Sequence, residues 1–188
     1  MISYSWLLLF KLHRKFYRFI SPGLCFAYSI SDTISVGRSL LIGFPYLFGN
    51  IKIGEGAVLV SLPNGNELGV RSACRMITQN GRISIGKNFQ ASGLSIFSNH
   101  SVVIGDNVMV GANSLIIDDD MHPISYETRR QLNAPSVSKP ILIGNDVWIG
   151  ANVTILKGVT LGDRCVIGSG VVVRKSVPPD TILYHSPS

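Results

Sequence analysis

Charge is scarce in this chain of 188 residues: 15% are Asp, Glu, Lys or Arg, against 46% apolar. The net charge of +6 is unevenly placed. Lys11, Arg14, Lys15 and Arg18 stand before the first acid, Asp32, and the remainder is nearly neutral. A basic end on a neutral body is not the basic surface of a nucleic-acid binder. Cysteine is limited to Cys25, Cys74 and Cys165, an odd and scattered set without CxxC spacing. It argues against a disulfide framework and a structural zinc site, and fits a reducing cytosolic compartment. No stretch approaches the ~20 apolar residues that span a bilayer. Trp6–Phe10 is too short for the apolar region of a signal peptide, and its basic residues follow instead of preceding it.

What the chain does have is a rhythm of six. Ile143, Ile149, Ile155, Leu161, Ile167 and Val173 are evenly spaced large aliphatics. Four residues after each stands a small or branched apolar residue: Val147, Val153, Val159, Cys165, Val171 and Val177. Glycine follows the leading aliphatic at Gly144, Gly150, Gly162 and Gly168. This period is neither helical nor a simple strand alternation, and it predicts an all-β solenoid of hexapeptides. Three hexads make one triangular coil of about 18 residues, and coils stack at ~4.8 Å. About seven coils are expected between residues 30 and 181, leaving out the loop 118–140 described below, in a solenoid domain of 30–182. Such a narrow prism fills with its own aliphatics, so chemistry must occur outside it, at a loop or between subunits. Its flat apolar faces favour a closed homo-oligomer, and three copies suit triangular prisms.

Three segments depart from the rhythm. Residues 3–20 place Trp6, Leu9, Phe10, Phe16, Tyr17 and Ile20 opposite Lys11, Arg14, Lys15 and Arg18 at helical spacing. An amphipathic helix is expected in this first segment, 1–29, either on an anionic membrane or packed on the solenoid or a partner. The pattern is weak from Ser61 to Gln79, where Pro63-Asn64-Gly65-Asn66 reads as a protruding turn. It breaks again over the loop 118–140, and residues 183–188 form a tail.

The loop carries the chemistry. Asp118-Asp119-Asp120-Met121-His122-Pro123 opens it, and Arg129 and Arg130 follow. A loop histidine can meet substrate, and imidazole exchanges protons near neutrality. A lone loop histidine is also an ordinary surface residue. The acidic run reads as a solvated stretch, with one member orienting His122 or an acceptor, in preference to a metal site. His100 lies at a register slip and reads as structural or surface.

The segment from Ile104-Gly-Asp-Asn-Val through His122-Pro123, Arg129 and Val147-Trp148-Ile149-Gly150 to Val177-Pro-Pro resembles the hexapeptide-repeat acyltransferases. It is most similar to galactoside and maltose acetyltransferases and to the sugar O-acetyltransferases of surface polysaccharide synthesis. The likeness is strong over residues 80–182. It implies a left-handed parallel β-helix, a homotrimer with sites between subunits, acetyl-CoA as co-substrate and no metal. It puts the catalytic base at His122. Trp148 and Ala151 match positions along the pantetheine arm, Ser169 a backbone contact, and Lys175 a basic residue near the CoA phosphates. Arg174 replaces the usual threonine, and the tail lacks a customary basic residue. On the acceptor side the implied residues are Ser92, Asn99, Asp119 and Arg129. Ser92 stands where the family's asparagine is absent and Asn99 where an acid is usual, which withdraws support from a simple galactoside.

The leading expectation is O-acetylation of a sugar in a capsule, O-antigen or exopolysaccharide, in the cytoplasm or peripherally at the inner membrane face. Runners-up are an antibiotic-type acetyltransferase and a nucleotide-sugar N-acyltransferase. A non-catalytic solenoid would not need the His-Pro excursion. A β-helical carbonic anhydrase would need three histidine ligands, and only His100 and His122 lie in the repeat.

Overall fold

A computed structural model of the chain describes residues 28–29, 34–42 and 45–184. The expected helix at 3–20, Cys25, and residues 185–188 lie outside them.

The hexads alternate between short strands and corners. In Ile143, Ile149, Ile155, Leu161, Ile167 and Val173, the leading aliphatics, every side chain points inward and is buried. The partners four residues on, Val147 through Val177, are buried too. Each hexad thus supplies two inward apolar residues, one ending a strand and one just before the next. Strands of two to four residues assemble into three parallel sheets of seven, six and seven strands among the described residues. Successive strands go to successive sheets, so Leu115–Ile117 (first sheet), Ile141–Ile143 (second) and Trp148–Ile149 (third) form one turn of the coil. This is a parallel β-helix, a three-sided prism whose core is one column of apolar side chains, mostly aliphatic with Phe89 among them. Strand Tyr28–Ser29 pairs with Tyr46–Leu47, and Ile182–Leu183 pairs with Val166–Ile167. Described coil strands therefore run from Tyr28 to Leu183.

The corners hold because each coil hydrogen-bonds to the next. Between the second and third sheets, Asn88, Asn107 and Asp146 adopt φ of +56°, +58° and +56°. Short amide and carboxyl side chains tolerate this left-handed conformation. Asn88 donates to Asn107 at 2.9 Å, and Asn107 to Asp146 at 3.1 Å. Stacking is close enough that a Cβ on Gly111 would lie 2.5 Å from the Ala151 nitrogen in the coil above.

Two excursions leave the prism. Residues 61–74 protrude where the third sheet turns into the first, between strands Val58–Val60 and Arg75–Thr78. The second of these strands falls in the stretch where the rhythm was weak. It is hidden in the sequence because Thr78 takes an inward position, where the hydroxyl accepts the Asn50 N–H at 2.7 Å. The second excursion, 118–140, leaves where the first sheet turns into the second.

Candidate active site

The neck of the loop 118–140 is built on buried carboxylates. Asp118 continues an inward polar column, Thr78–Ser98–Asp118, and is fully buried. It accepts the Asn99 N–H at 2.7 Å, the His100 N–H at 3.0 Å and the Ser98 hydroxyl at 2.8 Å. Asp119 is also buried, at 5% exposure. It accepts the Asn99 amide at 3.0 Å and the Met121 N–H at 2.5 Å. Burial pushes the Asp119 carboxyl up. Hydrogen bonds from Ser136, Asn99 and Met121, with the charge of Lys157, outweigh this and leave it below its ordinary value. Asp120 pairs with Lys157 from the next coil. The expectation of a solvated acidic stretch is thus corrected for Asp118 and Asp119. Backbone donors and stacked side chains from neighbouring coils satisfy them inside the fold.

The returning limb closes the neck. Asp119 bridges Ser138 in antiparallel fashion, Asp120 N–H donates to Val137 at 3.2 Å, and Lys139 N–H donates to Asp118 at 2.9 Å. Met121 then takes φ +64°, a costly conformation for an unbranched non-glycine residue, held by the Asp119 carboxylate. His122 follows, exposed, and Pro123 after it is buried. A single helical turn, Tyr126–Arg129, is capped by Ser125. From that turn Arg129 reaches back, donating to the carbonyls of Pro123 and Ile124 at 3.2 and 3.1 Å. The imidazole therefore sits between two fastenings, a carboxylate before it and a guanidinium after it.

The other expected site residues fall into separate groups. Trp148, 57% exposed, stands outward on the third sheet between Met109 and Val166. It shares a groove of about 230 Å³ with Ser92, Gln90, Asn66, Met109 and Val58. Ala151 lies at the next corner, where its N–H donates to the Ser169 hydroxyl at 3.2 Å. Arg174 and Lys175 are exposed at the corner between the first and second sheets, two coils above the loop. Asn99 and Asp119 touch each other, and Asn99 also accepts from Asn80 at 2.9 Å. Asp119 and Arg129, expected on the acceptor, are engaged within the loop.

Within one chain the groups do not converge. His122 projects from the corner between the first and second sheets, and Trp148 stands on the third sheet. In a three-sided prism that corner lies opposite that face. Lys157 and Ser136, which fasten the neck, escaped the sequence reading. They come from the next coil and the returning limb, and only the coil spacing could have aligned Lys157 with the loop.

Residues 140–175 match the bacterial transferase hexapeptide (six repeats), and residues 101–120 match the hexapeptide repeat of succinyl-transferase. Galactoside O-acetyltransferase of Escherichia coli K12 is 45% identical over 106 residues, 56% of this chain and 51% of that protein. A protein of the same strain named for O-acetyl transfer in lipopolysaccharide biosynthesis, WbbJ, is 27% identical over 173 residues. That match covers 76% of this chain and 87% of WbbJ. Among solved structures, a galactoside acetyltransferase in complex with coenzyme A aligns with a TM-score of 0.56 and 39% identity. The alignment covers 69% of this chain and 58% of that one. The fold is the left-handed β-helix of the galactoside acetyltransferase it aligns with, and the chain carries hexapeptide repeats over residues 101–120 and 140–175. It spans about half the length of the galactoside O-acetyltransferase it matches.

Proposed function

We propose that this protein is an acetyl-CoA-dependent O-acetyltransferase acting on a sugar hydroxyl of a surface polysaccharide. The observation that carries the reading is the doubly fastened, exposed His122 on a corner opposite the Trp148 face. A fold with a filled core can do chemistry only where such a group projects. His122, neutral, takes the proton of the sugar hydroxyl as its oxygen attacks the thioester carbonyl carbon. When the C–S bond breaks, His122 returns the proton to the departing sulfur. A backbone N–H at the Ala151 corner is the donor suited to the developing oxyanion, turning to it from the Ser169 hydroxyl. Trp148 supplies an apolar wall for the pantetheine arm, and Arg174 and Lys175 supply charge for phosphates.

The opposition of His122 and Trp148 favours a homotrimer in which the loop of one subunit faces the third sheet of its neighbour. Work on a capsule, O-antigen or exopolysaccharide precursor at the cytoplasmic face of a membrane accords with the name of WbbJ and the basic segment 3–20. The test is thiol release from acetyl-CoA with glycan acceptors, compared between wild type and His122→Ala. A fall of at least ~10² in turnover, with assembly unchanged, is expected from loss of a general base. Undiminished turnover in the assembled variant removes His122 from the reaction. Mass spectrometry of the host glycan with and without the protein identifies the acetylated sugar.

A further inference from the structure

Residues 61–74 have no part in the reaction as derived above, yet they border both regions assigned to acetyl-CoA. Asn66 donates to the Ser92 hydroxyl at 3.3 Å, which sets this residue into the groove of Trp148. Further along, Asn113 fixes the segment twice. Its carbonyl oxygen accepts the Arg71 N–H at 2.8 Å, and its amide donates to the Gly69 carbonyl at 3.1 Å. Val70 is buried beneath. Gly93, at φ +57°, leaves room for this docking, since a Cβ there would lie 2.7 Å from Val70 and 3.0 Å from Asn113. The segment is therefore packed onto the prism with its backbone held at Arg71. Leu68, Arg71, Asn113, Ala151 and Asn152 line a recess of about 360 Å³. Arg71 is the sole charge among its lining residues, and no carboxylate among the described residues pairs with it.

We propose that residues 61–74 select the acceptor and that Arg71 recognises a carboxylate on it, making the acceptor an acidic sugar. This rests on the acetyltransfer reading. The planar guanidinium fork matches a carboxylate in bidentate fashion, and it stands beside Ala151, where the thioester would react. A phosphate of CoA offers related chemistry, so the experiment separates the two sources.

Wild type, Arg71→Gln and Arg71→Lys are assayed with acetyl-CoA on matched pairs: methyl β-D-glucuronide against methyl β-D-glucoside, and the corresponding galacto pair. Thiol release and saturation-transfer NMR in the presence of CoA are the readouts, with CoA affinity measured by calorimetry. Wild type should favour the uronides. Arg71→Gln should lose about ten- to a hundredfold on them, the worth of a hydrogen bond to a charged group, and be unchanged on the neutral partners. Arg71→Lys should fall between. Absence of uronide preference in wild type by both readouts overturns the proposal, as does its persistence in Arg71→Gln. A loss confined to CoA affinity assigns Arg71 to the cofactor and overturns it equally. If wild type releases no thiol with any acceptor, the acetyltransfer reading fails, while the NMR comparison still decides Arg71.

Discussion

Asp119 shows how a residue close to the proposed base can matter through geometry. It holds Met121 in the left-handed region, one residue before His122. Asp119→Asn should lower turnover while leaving CoA affinity unchanged, since Asp119 is buried in the neck of the loop and its carboxylate is taken up by Asn99 and Met121. Its folded carboxyl lies below the ordinary value of 3.8, so the anion contributes stability above that value and loses it as pH falls through the folded value. Denaturant titrations should show wild type more stable than Asp119→Asn near neutrality, by about 1–3 kcal/mol for a buried charged hydrogen-bond partner. The difference should shrink in strong acid. An equal gap at every pH would show that the Asp119 charge is not what holds the neck. The place of His122 on an excursion was legible in the sequence because His-Pro interrupts a regular repeat. The burial of Asp119 was not, because Ser136 and Lys157 act on it from across the loop and from another coil.

At the scale of elements, the hexad is legible because two inward positions per unit must be apolar and little else is constrained. It failed at Arg75–Thr78, where the inward Thr78 satisfies a backbone N–H that an aliphatic would orphan. The fastening of 61–74 was also hidden. Asn113 and Ser92 are single polar residues within otherwise regular coils, and the segment they hold lies 26 residues or more before them. The stacked core gives a sharp contrast between faces. Ile155→Ala should cost about 2–5 kcal/mol by removing buried methyl groups. Thr154→Ala, one residue away and on the outer side, should stay within about 0.5 kcal/mol. Urea midpoints of the two variants check this, and comparable losses would contradict the inward assignment.

The whole molecule exposes apolar residues on its flat faces, among them Met109, Leu142, Trp148 and Val172. Patches of this kind on a parallel prism call for covering. Light scattering should report a trimer, and an active monomer at working concentration would refute the shared site. Residues 1–20 add a separate expectation. Four cations without an acid contribute about 1 kcal/mol each near an anionic surface, and three copies add avidity. Full-length protein should sediment with anionic liposomes, and a variant lacking residues 1–20 should not, while retaining turnover. Dissociation of the trimer on that deletion would make the segment a packing surface instead.

The closed neck of the loop has a consequence for how this scaffold can be changed. Strand Ile141–Ile143 lies on Val102–Ile104 in a register set by the coils, and the bridge from Asp119 to Ser138 has already brought the two limbs together. Whatever lies between the limbs adds only loop-closure entropy, about 0.6 kcal/mol for each doubling of length. The tip around Leu132, 92% exposed, is therefore a grafting point. A peptide of another ten or twenty residues could be spliced in there, as a recognition arm for a different glycan or as a reporter, and the prism would register almost nothing.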